Sequence, residues 1–95
     1  MGQPISKEYL EEARKRSNMA TSSPWISFVE GRDYPLSGDS FIGRGVDRVE
    51  EDLYLQGGTV EDQDFIAHAR QDIPLLLDEI ERLQKLLDDK AKDKD

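Results

Sequence analysis

A chain of 95 residues with 21 acidic and 13 basic side chains carries a net charge of −8, and it has no cysteine. That length supports one domain, near the lower limit for a self-sufficient core, and the missing thiols exclude a disulfide framework or a thiolate metal site, which makes an intracellular setting the default. The acidic balance counts against direct binding to nucleic acid or an anionic membrane, and no apolar run reaches the roughly 20 residues of a membrane span.

The first residues are too polar for a signal peptide, and Met1-Gly2 with Ser6 matches a myristoylation signal only weakly because Pro4 and acidic residues follow. Ser6 can cap a short helix from about Lys7 to Arg16 whose apolar positions are Ile5, Tyr9, Leu10 and Ala13. Such a helix is marginal alone and must dock to persist. Arg14, Lys15 and Arg16 at its end read as dipole complement and solvation. SNMATSSP, from Ser17 to Pro24, is a linker by composition.

WISFVE predicts a strand, with Trp25, Ser27 and Val29 on one face and Ile26, Phe28 and Glu30 on the other. Apolar residues on both faces predict that one meets a helix and that the N-terminal segment partly covers the other. After the polar turn from Gly31 to Asp39, Ser40 to Arg44 predicts a second strand, weakened by Gly43 and Gly45. Glu50 to Gln56 predicts a third, with Leu53 and Leu55 inward and Tyr54 outward, ended by Gly57 and Gly58.

Thr59 to Leu87 is the only long apolar period in the chain. Ile66, Ala69, Ile73, Leu76, Ile80, Leu83 and Leu87 alternate at three and four residues, which keeps one helical stripe facing one partner. Thr59 stands at the N-cap, Asp62 forms a shorter form of the capping box, and Glu61, Asp62 and Asp64 complement the dipole. Pro74 lacks the N–H that would bond Arg70, so a kink or break is expected there, with Asp72 able to cap a second piece. Asp78 with Arg82 and Glu81 with Lys85 are spaced as surface ion pairs. Before Pro74 the stripe is expected to lie on the protein's own sheet. Beyond it, Ile80, Leu83 and Leu87 either pack within the chain or meet a second copy as a homodimer, and the two readings stand level.

The expectation is therefore an α+β fold: a small three-stranded antiparallel meander packed against a long C-terminal helix kinked near Pro74, with a short N-terminal helix. It divides into residues 1–23 (N-terminal helix and linker), 24–87 (sheet and helix) and a disordered charged tail at 88–95.

Catalytic equipment is sparse. Asp64, His68 and Asp72 share a helical face at metal-ligand spacing, yet that face also suits plain solvation, so no metal is expected. His68 has no evident nucleophile to serve, and there is no serine elbow or phosphate-cradling glycine loop. Neither enzyme activity nor a cofactor is expected. Two polar clusters, Glu30 with Arg32 and Asp33, and Arg70 with Asp72, each set an arginine near a carboxylate. Mutual pairing of Arg70 with Asp33 or Glu30 is the structural reading. The functional one is a pocket in which Arg32 and Arg70 take an anion, with Trp25 and Tyr34 as its apolar wall.

SSPW, EGRD, SGDSFI, EDLYL and TVEDQDFIAHARQDIPLLLDEIERL, in that order, resemble a group of small proteins of bacteriophages, prophages and bacterial genomes. The resemblance covers about Ser22 to Leu83 and departs from the pattern at Ser23, where glycine commonly precedes Pro-Trp. It implies a phage-type accessory protein and transfers no catalytic residues; taken with the sparse catalytic equipment, the acidic charge and the Leu83 to Leu87 stripe, the expectation is a noncatalytic protein that binds and modulates or inhibits a host protein in the bacterial cytoplasm. Acidic mimicry of nucleic acid is one form of that reading. The alternative is an oligomeric protein that sequesters a small anionic ligand such as a nucleotide signal.

Overall fold

The computed structural model describes residues 4–35, 38–48 and 51–92. In chain order it contains α1 (Lys7–Met19), β1 (Trp25–Phe28), β2 (Phe41–Arg44) and α2 (Val60–Lys92), an α+β fold. Its longest extent is 66 Å, most of it set by the 33 residues of α2 at about 1.5 Å rise each.

Both helix starts follow from side chains that satisfy free backbone donors. The Ser6 hydroxyl accepts from the Tyr9 N–H at 3.0 Å, and α1 runs three residues past the expected Arg16 to Met19. At α2, the Asp62 N–H donates to Thr59 Oγ1 at 3.0 Å while the Thr59 N–H donates to Asp62 Oδ2 at 3.0 Å, a complete reciprocal box.

From there α2 is continuous. It passes through Pro74 with no break, so Asp72 lies inside the helix and caps nothing. One proline costs an interior helix about 3 kcal/mol, which the long helical stretches on both sides offset. Helix also continues through Asp88 to Lys92, where a disordered tail was expected, with Lys90 and Lys92 at the negative end of the dipole. Asp93 to Asp95 and the Met1-Gly2 signal lie outside the described residues.

Among the described residues two strands form the sheet, in place of the three-stranded meander. β1 and β2 pair antiparallel from Trp25 opposite Arg44 to Phe28 opposite Phe41. The segment expected as a third strand contributes one bridge, in which Ile42 and Leu53 exchange hydrogen bonds of 2.8 and 2.9 Å. A continuing ladder would next pair Arg44 with Glu51. Instead, the Arg44 guanidinium takes the Glu51 carbonyl, at 2.7 Å from Nη2 and 3.2 Å from Nε, and pairing stops. Glu50 lies outside the described residues.

The sheet meets α2 through a different face of the helix from the one the apolar period marks. Ile42 is fully buried, Ala67 is 1% exposed and Gln63 is 4% exposed, whereas Ile66 and Ile73 stay partly open. Ala67 is small enough to bring the helix axis close to the strands. Gln63 then reaches across, its Nε2 donating to Ser27 Oγ at 2.8 Å and to the carbonyls of Phe28 and Phe41 at 3.2 Å each. Two turns on, Gln71 does the work of a neighbouring strand: its Oε1 accepts from the Trp25 N–H at 2.7 Å and its Nε2 donates to the Trp25 carbonyl at 3.1 Å.

Nor, among the described residues, does the N-terminal segment cover the sheet's second face. That face is built from Phe28 and Phe41, stacked at 5.1 Å, with Tyr34 and Tyr54 tilted against Phe41 at 5.9 Å. Arg48 lies over both phenylalanine rings at 5.1 and 5.0 Å, anchored by Asp52 at 3.0 Å. Gly43 makes this possible, since a Cβ there would stand 2.8 Å from Arg48 Nε and 3.1 Å from the Phe28 ring.

α1 packs antiparallel on the distal half of α2, with its Arg14 Nη2 held by Asp78 at 2.8 Å and Glu81 at 2.9 Å. Those carboxylates therefore serve α1. The expected pairs with Arg82 and Lys85 do not form, and Arg82 bonds Glu79 at 2.6 Å instead.

Candidate docking groove

Thr21, in the stretch read as a linker, fixes where α1 ends and β1 begins. Its carbonyl accepts from Arg70 Nε at 2.8 Å and from the Trp25 indole N–H at 3.0 Å, and its hydroxyl accepts from Arg44 at 3.0 Å. Arg70 also reaches Ser17 Oγ at 3.2 Å. The Arg44 guanidinium sits 5.9 Å from the Trp25 ring. Helix, linker and strand are thus tied at one node, and α1 leaves it along α2 at a fixed angle.

An open groove of about 480 Å³ runs along the two helices. Tyr9 and Ala13 of α1, with Ile5 just before it, line one wall, Ile66, Ile73 and Leu76 the α2 wall, and Trp25 closes the proximal end. Leu77 is buried at its base, but Tyr9 is 57%, Ile73 44% and Leu76 61% exposed. The apolar stripe legible in the sequence is this wall. It continues distally past half-buried Ile80 through the exposed side chains of Leu83 and Leu87.

The arginines expected to share a pocket are held apart. Arg32 makes a two-toothed bond to Asp64 at 2.9 and 3.1 Å and also contacts Asp33, whereas Arg70 is bonded to Thr21 and Ser17. Asp33 Oδ2 accepts from the Val29 N–H at 2.7 Å, closing the turn. The Arg32 guanidinium, helped by the Ser27 hydroxyl, holds the Asp64 carboxyl down at about 2. Asp33 lies below its ordinary range through the same guanidinium and the Val29 amide. Arg70 therefore does not brace the turn; Asp64, one of the three residues first weighed as a metal face, does.

Glu30 donates its N–H to Ser40 Oγ at 3.2 Å, and Tyr34 donates its hydroxyl to the Asp39 carbonyl. Burial, with Glu30 nearby, raises the Tyr34 phenol. Tyr34 belongs to the aromatic face and Trp25 to the groove, so they do not wall one pocket. Asp72 is exposed on α2.

Sequence reasoning missed Gln63, Gln71 and Thr21. The available signal was two glutamines four residues either side of Ala67, a pattern that suits a helix lying close on a strand edge. Among the described residues, no group of three or more histidine, cysteine or carboxylate side chains is placed to hold a metal ion, and no helix is long and apolar enough to cross a membrane. Comparison with protein-family models, curated proteins and solved structures finds no match.

Proposed function

We propose that this chain is a noncatalytic binding protein of the phage-type accessory kind, which engages a host protein by taking one of its helices into the groove between α1 and α2. The observation that carries this reading is the groove itself: an apolar trough with two helical walls and large side chains left in water, the shape in which an amphipathic helix is usually received. A pocket for a small anion has less support, because Arg32 and Arg70 are engaged within the chain and line separate clefts.

Trp25, the single tryptophan, lines the groove and reports on its occupancy. A synthetic helix with a leucine stripe and glutamine flanks is expected to shift Trp25 fluorescence saturably. The Ile73→Gln, Leu76→Gln double variant, altered at exposed positions, is expected to keep its circular dichroism spectrum and lose that shift. No binding by a monomeric wild-type chain, or equal binding by the variant, refutes the reading.

A further inference from the structure

The charge around the groove narrows what it receives. On α1, Glu8 and Glu12 each precede a wall residue, Tyr9 and Ala13, and both are exposed. On α2, Asp72 and Glu79 precede Ile73 and Ile80 by one residue, stand seven apart, and are exposed. Helical spacing sets all four on the outer edges of the walls, with Lys15 on the same edge as Glu8 and Glu12, so four carboxylates and one lysine flank the trough and its rims stay acidic. Glu79 is drawn partly aside by Arg82 at 2.6 Å. Arg16 and Arg70 line the proximal end, but Arg70 is turned inward to Thr21 and Ser17.

Resting on the binding role proposed above, we infer that the groove's partner is an amphipathic helix with lysine or arginine on both flanks of its apolar stripe. A helix seated between the walls brings its flanking positions against Glu8 and Glu12 on one side and Asp72 and Glu79 on the other. Basic flanks meet opposite charge there. A second copy of this chain does not, because its α2 would bring Asp72 and Glu79 toward the same carboxylates, and two chains of net charge −8 repel at range. The trough supplies contact area, and the rims select the partner by its charge.

Three synthetic helices sharing one leucine stripe, with lysine, glutamine or glutamate flanks, are titrated against the full chain while Trp25 fluorescence is read. The lysine helix is expected to bind about tenfold or more tighter than the glutamine helix and the glutamate helix more weakly still, with the differences shrinking as salt rises. The Glu8→Lys, Glu12→Lys variant is expected to narrow the order or invert it. The Ile73→Gln, Leu76→Gln variant, whose charge is unchanged, is expected to lose the lysine helix. Equal binding of all three helices overturns the charge selection and leaves the docking role standing. Lysine-helix binding that survives loss of the two apolar residues overturns both, as does a wild-type dimer that the same substitutions dissolve.

Discussion

If α2 meets the sheet through Gln63 and Ala67, replacing Gln63 must cost more than replacing Ile66, although hydrophobicity alone predicts the reverse. Gln63→Met keeps length and removes the amide. Three contacts from Nε2 are lost, at 2.8, 3.2 and 3.2 Å, the longer two going to carbonyls of the strand pair itself. Counted as about two net hydrogen bonds at about 1 kcal/mol each, the loss is about 2 kcal/mol. For a domain of this size that lowers the melting temperature by about 8–16 °C. Ile66 is already 37% exposed, so Ile66→Gln gives up only part of a side-chain burial and should cost about 1 kcal/mol or less. Thermal and urea unfolding followed by circular dichroism at 222 nm, the wavelength of helical absorption, measures both. A larger loss from Ile66→Gln than from Gln63→Met would mean that the apolar stripe faces the sheet and that the helix register described above is wrong.

Removing the cap with Thr59→Ala should destabilise the fold by about 1 kcal/mol, read from the urea midpoint, and Thr59→Ser should restore most of it. Asp64, held at about 2 by Arg32, contributes stability above the ordinary carboxylate range that is lost as pH falls from about 4 toward 2. Wild type should therefore lose more of its urea midpoint than Asp64→Asn across that window, and a carboxyl NMR titration should find Asp64 returned toward 4 in Arg32→Gln; an unmoved Asp64 would refute the pairing. Arg14→Met leaves Asp78 and Glu81 facing one another without their cation, so amide exchange in α1 should quicken while β1 and β2 stay protected.

How far the sequence could be read depended on the range of the interaction involved. Caps are local: Ser6 with Tyr9, and Thr59 with Asp62, lie within one turn, and both helix starts were legible. Periodicity showed that Ile66, Ile73 and Leu76 share a face, because 3.6 residues per turn is a local property, but it could not say what that face meets. The third strand was misjudged for a nonlocal reason, since only the folded chain brings the Arg44 guanidinium onto the Glu51 carbonyl. Composition made residues 17–24 look like a passive linker, yet a carbonyl and a hydroxyl at Thr21 receive three donors, two of them, from Arg44 and Arg70, distant in the chain. The arginine clusters failed likewise: both were recognised as polar constellations, and the partner that decided each, Asp64 for Arg32 and Thr21 for Arg70, lay elsewhere in sequence.

These misreadings share one physical cause, which bears on the groove. Four apolar residues, Val29, Ile42, Ala67 and Leu77, are buried among the described residues, and much of the fold is closed by side-chain amides and guanidinium groups bonded to backbone. Amides can close a helix on a strand because each offers a donor and an acceptor, matching a peptide edge as Gln71 does at Trp25. Polar closure of that kind leaves the larger aliphatic side chains unused inside the domain. Several of them, Ile66, Ile73 and Leu76 with Leu83 and Leu87 beyond, share one stripe of α2 that neither sheet nor α1 fully covers. Occupation of the groove would therefore add stability as well as affinity, and wild type should melt higher with a saturating lysine-flanked helix, whereas Ile73→Gln, Leu76→Gln should not.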